Sequence, residues 1–480
     1  MKQDLCYWSA IELARHIKTR AVSPVEVVRA HLERIDAVNP RINAIVTMNT
    51  RAEDEARAAE SAVIRGDELG PLHGVPFTVK DSIDTAALQT TRGSRLFAGR
   101  VPEADATAVS RLKASGGILL GKTNVPEFSF WWETANALFG RTVNPWNADR
   151  SPGGSSGGEA AAIAAGLSPL GVGSDVGVSI RGPAHYCGIA GLKATHGRIP
   201  LTGHWPETLR RFWHVGPMAR TVHDLVLALT VLAGPDGHDP YAVPVPKPEV
   251  PDADDHLPPL RVGWIAERGF GTVDPDVATM VRRAAETLQG QGCRVEEVSI
   301  PGLERRDCNA LTMTLFAAEA GPYFEGVIAG RHEQLYPAAR SRLAVRVESL
   351  TEYVKSEVEV EALRYDLAAY FRQYDLLLCP VAPVAAFPHE MATLRLGDET
   401  LPVRHVMRAT LPFNLTGSPA LAVPFGSSRE GLPIGVQIVG RHFDEATVLR
   451  VGMAIENASG GVWRRPPLKP WDPRDLEGVQ

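Results

Sequence analysis

The chain has 480 residues, 44% of them apolar, and 50 basic against 56 acidic side chains give a net charge of −6. That length accommodates two or three average domains or one large α/β domain, and the apolar share supports a sizeable core. Both charge signs are spread along the sequence, which leaves no basic footprint for nucleic acid or for an anionic membrane surface.

Ser23-Pro24-Val25-Glu26 is a capping box with proline in the first helical turn, and Val28, Leu32 and Ile35 recur on one face of the helix it starts. Residues 1–65 therefore read as amphipathic helices, interrupted by a short buried strand at INAIVTM. His73 to Asp81 is a strand that delivers Lys80 at its end. A helix over Thr107–Ala114 and a strand over Gly117–Leu120 open an alternation that continues to about Gly191. Such alternation argues for the α/β class, with a parallel or mixed sheet covered by helices.

Eight prolines lie between Pro235 and Pro259, a composition that resists regular structure and reads as an exposed connection between two halves. Beyond it, LRVGWIAE and CRVEEVSI are strands around a helix from Val277 to Leu288, and about 305–373 is mainly helical. Asp375 to Pro380 returns to strand, and Ser418–Gly426 with Leu432–Gly440 forms a hairpin before an amphipathic helix from Asp444. The five cysteines (Cys6, Cys187, Cys293, Cys308, Cys379) show neither CxxC nor zinc-ligand spacing, which predicts a reducing compartment and no metal site. The N-terminus lacks an uninterrupted apolar run, and no stretch reaches the roughly 18 apolar residues of a spanning helix, so a cytoplasmic protein is expected.

Gly116-x4-Gly121-Lys122-Thr123 matches the phosphate-binding P-loop letter for letter. Its intervening residues look like a buried strand, and Pro126 interrupts the helix whose N-terminus would hold the phosphate, so a strand ending in a turn is the better reading. Gly153-x-Ser155-x-Gly157 matches the nucleophile elbow, but the turn-rich Asn144–Pro152 stands where that elbow needs a strand. Alone, GGSSGG would be a flexible loop.

It is not alone. Ser155 and Ser179 are separated by room for one alanine-rich helix (Gly158–Gly166) and a short strand (Leu170–Gly173), which can fold the two serines back together. A serine hydroxyl needs a base to remove its proton, and a lysine serves only when neutral. Burial at the end of an apolar strand favours the neutral amine, although an isolated Lys80 beside Asp81 would read as a surface pair.

Nearly the whole chain resembles the amidase signature family of serine hydrolases. HGVPFTVKDSIDT is similar to its lysine strand, LLGKTNVPEFSF to the segment behind its pocket and NPWNADRSPGGSSGGEAAAIAAG to its first serine loop. SDVGVSIRGPAHYCGIAGLKATHGR resembles its nucleophile segment, and LPFNLTGSPALAVPFG with GLPIGVQIVGRHFDEATVL its C-terminal sheet. The resemblance implies one domain over 1–480, with a large twisted mixed β-sheet covered by helices on both faces. The N-terminal helices 1–65 and the helical region about 305–373 would flank the cleft.

It further implies Lys80 as base, Ser155 as a bridging serine preceded by a cis peptide, and Ser179 as nucleophile. The oxyanion hole would be the N–H groups of Val176, Gly177, Val178 and Ser179, with Asp175 and Arg181 fixing the loop and no cofactor. Val178 stands where the family has glycine and Ala194 where it has proline. Valine does not easily hold a positive φ, so the turn must take a valine-compatible form, and Val178 is expected to narrow the acyl pocket. Phe130 and Trp132 are expected to wall that pocket, as the segment does in fatty acid amide hydrolases, and Trp205 and Trp213 to cover its entrance.

No charged clamp is evident near these positions, which favours an uncharged, aromatic or apolar amide, anilide or carbamate as substrate, with water as co-substrate. A homo-oligomer stays open. The alternatives are the glutamine-hydrolysing subunit of a tRNA-dependent amidotransferase and a non-catalytic scaffold.

Overall fold

Eleven strands form one mixed sheet in the computed structural model, which describes residues 5–249, 257–347, 349–460 and 465–468. In chain order they are β1 (Ile45–Met48), β2 (Pro76–Lys80), β3 (Ile118–Thr123), β4 (Leu170–Asp175), β5 (Ala190–Lys193) and β6 (His214–Ala219). The second half adds β7 (Arg261–Trp264), β8 (Arg294–Glu297), β9 (Leu376–Pro380), β10 (Ala420–Ser427) and β11 (Pro433–Gly440). Their spatial order is β1-β3-β2-β4-β6-β5-β10-β11-β9-β7-β8. The mixed sheet with its covering helices is the expected α/β architecture.

Two parallel pairings matter for the site. Strand β2 runs parallel to both β3 and β4, with Val79 opposite Lys122 and Val172. The C-terminal ends of β2 and β4 therefore open on the same edge, the usual location of ligand sites in such sheets. Every residue of β2, β3 and β4 is buried, consistent with sheet strands covered on both faces.

The N-terminal helices are α1 (Ala10–Lys18), α2 (Pro24–Ile42) and α3 (Ala52–Arg65). Ser23 accepts the Glu26 N–H and Glu26 reaches back to the Ser23 N–H, which closes the anticipated capping box of α2. Val28, Ile35 and Val38 then face the core. Around the two serines lie α4 (Gly157–Ala164) and α5 (Arg181–Cys187); farther on are α6 (Cys308–Ile328), α7 (Leu350–Gln373) and α8 (Leu411–Leu415). The proline-rich connection has no regular element over Pro235–Glu249, and its residues 250–256 lie outside the described ones.

The P-loop look-alike is β3. Lys122 is buried there, its amine donating to the Ile83 carbonyl, Thr85 Oγ1 (2.8 Å) and Thr90 Oγ1 (3.2 Å). Lys122 is therefore not free to meet a phosphate.

Candidate active site

Lys80 leaves the end of β2 into a wholly buried pocket. Its Nζ lies 2.7 Å from Ser155 Oγ and also meets Ser174 Oγ at 3.0 Å and the Ser174 carbonyl at 3.2 Å. A neutral amine has two N–H bonds and one lone pair, so it satisfies this set by donating twice to Ser174 and accepting the Ser155 hydroxyl proton. Burial pulls the amine down to about 7, against the opposing pull of the Asp175 and Glu159 carboxylates.

The serine loop reaches Lys80 because its glycines let the backbone pass close to other chain segments. A Cβ on Gly154 would lie 2.7 Å from the Trp131 carbonyl oxygen, and one on Gly158 would lie 2.5 Å from Asn124 N. The Gly154–Ser155 peptide is cis. Next to it, the Ser156 N–H donates to the Ser179 carbonyl at 3.2 Å, and Ser156 Oγ donates to the Ser174 carbonyl at 3.2 Å. The two serine segments and the end of β4 are thus tied together.

Ser179 sits in the turn between β4 and α5, which Asp175 organises from beneath. Its carboxylate accepts the N–H groups of Gly177 (3.0 Å), Ile180 (3.0 Å) and Arg181 (3.4 Å). The Arg181 guanidinium meets both carboxylate oxygens, at 3.0 and 3.1 Å, with both side chains wholly buried. Burial pushes the Asp175 carboxyl up, but Arg181 outweighs it and holds the group well below the usual carboxylate range. Gln437 and Asn414 complete the shell, each accepting from Arg181, and Asn414 donates to Asp175 Oδ1 at 3.0 Å.

This geometry corrects one expectation. The Gly177 N–H is not aimed at an oxyanion, because Asp175 takes it. Among the described residues the N–H groups of Val176, Val178 and Ser179 have no protein acceptor. Val178 is absent from the positive-φ residues, so the turn is valine-compatible. Room for its side chain comes from Gly182: a Cβ there would lie 2.6 Å from Val178 Cγ2.

The predicted aromatic walls separate. Trp132 is half-buried, stacks on Trp131 at 4.0 Å and packs with Met407 against the cluster of Tyr186, Phe387 and Val406. Met407 also faces the nucleophile turn: a Cβ on Gly177 would lie 3.6 Å from its Sδ and 3.2 Å from Leu411 Cδ2. Phe130 instead packs on α6, its ring 5.7 Å from Phe316 and 4.9 Å from Phe324. Trp205 and Trp213 are not an entrance cover. Both are buried, Trp205 among Phe97, Phe128 and Phe324 and Trp213 against His204, because their large apolar rings gain more inside the core.

Several neighbours escape sequence reading. Glu159 is buried in α4, accepts from Thr78 Oγ1 and from Thr123 Oγ1 (2.8 Å), and is pushed up to about 7 by burial. Phe128 and Ser129 are consecutive left-handed residues (φ 61° and 60°) with no glycine or asparagine to announce them. Met407 lies outside every segment quoted above, and Ser174 and Leu411, though each opens one of those segments, carry nothing there that marks an individual role. Among the described residues there is no cluster of three His, Cys, Asp or Glu side chains able to hold a metal, and no helix long and apolar enough to cross a membrane.

The chain matches the Amidase family model over residues 26–449. It is 36% identical to a glutamyl-tRNA(Gln) amidotransferase subunit from Moorella thermoacetica, over 97% of this chain and 99% of that protein. A solved structure described as a vestigial protein complex bearing on the origins of an s-triazine catabolic enzyme superposes with a TM-score of 0.88 at 32% identity. That match covers 94% of this chain and 98% of the other. A bacterial aryl acylamidase superposes at 0.87 with 27% identity, over 97% and 99%. Matched by the family model across most of its length, the chain belongs to the amidase signature family and is an amidase-type enzyme acting on carbon–nitrogen bonds.

Proposed function

We propose that the chain hydrolyses an amide, anilide or carbamate with an apolar or aromatic acyl side through an acyl-enzyme on Ser179. The observation that carries this is the 2.7 Å contact between a buried Lys80 amine and Ser155 Oγ, in a loop tied to the Ser179 backbone. Neutral Lys80 takes the Ser155 proton while Ser155 takes that of Ser179, whose oxygen attacks the substrate carbonyl. The N–H groups of Val178 and Ser179, with that of Val176, hold the oxyanion. The proton then returns through Ser155 to the departing nitrogen, and water repeats the route to release the acid. Met407 and Leu411 beside the turn support an apolar acyl side.

A second reading is glutamine hydrolysis within a tRNA-dependent amidotransferase. The Moorella relative supports it, and on identity it is favoured over the first. Under this reading the Arg342 guanidinium, which lies 4.9 Å from the Phe316 ring and has no carboxylate partner among the described residues, would be the cation that meets the substrate. A glutamine α-carboxylate is a suitable partner for such a cation. The purified chain, given an aromatic anilide and glutamine in parallel, separates the two. Faster anilide turnover, indifferent to Arg342→Ala, supports the first reading; glutamine turnover that Arg342→Ala suppresses overturns it.

A further inference from the structure

Glu159 is wholly buried and has no guanidinium or ammonium in ion-pair contact among the described residues, unlike Asp175 with its Arg181. A buried carboxylate without such a partner is costly, and the sheet is shaped to keep this one. Thr78 Oγ1 donates to Oε1, and Thr123 Oγ1 donates to Oε2 at 2.8 Å. Gly171 of β4, opposite Thr78, leaves the space: a Cβ there would overlap the carboxylate.

The placement bears on the base. Thr78 lies two residues before Lys80, and Thr123 stands opposite Lys80 in the register of β2 and β3, so all three project from one face of the sheet. Helix α4 packs on that face, and its Glu159 comes four residues after Ser155. The carboxylate thus joins the end of the Lys80 strand to the helix that starts from the Ser155 loop. That junction spans the 2.7 Å contact between Lys80 Nζ and Ser155 Oγ.

We propose that Glu159 is a positioning residue for Lys80: through Thr78 and Thr123 it holds the base against Ser155, and its negative charge favours the protonated amine. This deepens the hydrolytic reading and rests on it. The cations that act on Glu159 from the sheet are Lys80 and Lys122. Lys122 is opposite Val79, on the other face, and is held by Ile83, Thr85 and Thr90. Asp175 at the end of β4 is matched by Arg181 of α5. Burial keeps His31 of α2, His185 of α5 and His214 of β6 uncharged at neutral pH. Arg34 and Arg220 sit at the other end of α4, on the Ala165 and Ile163 carbonyls. Lys80 is therefore the cation on the Glu159 face whose proton the carboxylate governs.

The rate at which a fluorophosphonate labels Ser179 from pH 5 to 9 tests this without a chosen substrate. Glu159→Gln removes the charge and keeps the junction, since its amide accepts from one threonine and donates to the other. Its acid limb should move down by about one unit from that of wild type. Labelling at pH 6, as a fraction of the plateau, then rises about fivefold. Glu159→Ala breaks the junction and should lower the plateau roughly 100-fold, most of which Glu159→Gln recovers. A merely structural carboxylate would change stability and leave the limb in place. An unmoved or raised limb in Glu159→Gln, or a wild-type plateau in Glu159→Ala, overturns the proposal. Where Glu159→Ala fails to fold, the limb of Glu159→Gln decides. Wild-type labelling that does not fall below about pH 7, or that survives Lys80→Ala, removes the hydrolytic reading and this inference with it.

Discussion

Gly182→Ala tests how the nucleophile turn tolerates valine. The new Cβ would sit 2.6 Å from Val178 Cγ2, whereas carbon atoms pack best at about 3.5–4.0 Å, so roughly 1 Å has to be found. The two residues cannot drift apart freely, because the Gly182 N–H donates to the Val178 carbonyl at 2.7 Å. Overpacking of this kind costs about 1–3 kcal/mol. Val178 adjoins Ser179, and a displacement of about 1 Å at reacting groups lowers turnover roughly 100-fold. Thermal unfolding and kcat/KM on one amide substrate should both fall in Gly182→Ala, and adding Val178→Gly should restore most of each. The coupling between the two changes should reach about 1–3 kcal/mol in a double-mutant cycle. Wild-type stability and kcat/KM in Gly182→Ala, or no rescue by Val178→Gly, would refute the steric pairing.

If neutral Lys80 is the base, kcat/KM should climb tenfold per pH unit on the acid side and level off above about 7; a profile flat from pH 5 to 8 counts against it. The same burial makes the unfolded chain bind more protons between about pH 7 and about 10.4, so wild-type stability should rise across that window. Lys80→Met should be stabilised relative to wild type below pH 7, and denaturant melts at pH 6 and pH 10 check the sign. Asp175→Ala leaves Arg181 buried without its carboxylate and should cost about 3–5 kcal/mol in chemical denaturation, with a smaller loss indicating that Gln437, Asn414 and the Thr410 carbonyl suffice. Trp132→Ala should raise KM for an aromatic amide at nearly constant stability, whereas Phe130→Ala should destabilise by about 3–5 kcal/mol; equal effects on KM would undo the separation of these two walls.

What could be read from the chain alone was whatever local pattern encodes. The capping box at Ser23, the buried strand ending at Lys80 and the glycine loop at Ser155 each announce themselves within a few residues. The hairpin of β10 and β11 did so too, through two apolar runs around a turn. The remainder depends on contacts distant along the chain. Met407 and Leu411 reach the Ser179 turn from more than two hundred residues away, and neither belongs to a pattern that marks a pocket. Phe130 and Trp132 alternate as two faces of one segment, yet only the positions of α6 and the Tyr186 cluster decide which ring joins which wall. Trp205 and Trp213 look like surface aromatics in a polar loop, but burial of their rings draws that loop inward. The Gly177 N–H turns to Asp175, two residues earlier, and not to an oxyanion, a choice that depends on turn geometry and not on local sequence.

Labelling with a fluorophosphonate followed by peptide mapping asks most directly whether one hydroxyl is unlocked by a buried amine through another. Modification of Ser179 alone is expected, at a rate that rises with pH through about 7 and collapses in Lys80→Ala and in Ser155→Ala. A folded chain that takes no label, takes it on Ser155, or labels as fast without Lys80 contradicts the assignment.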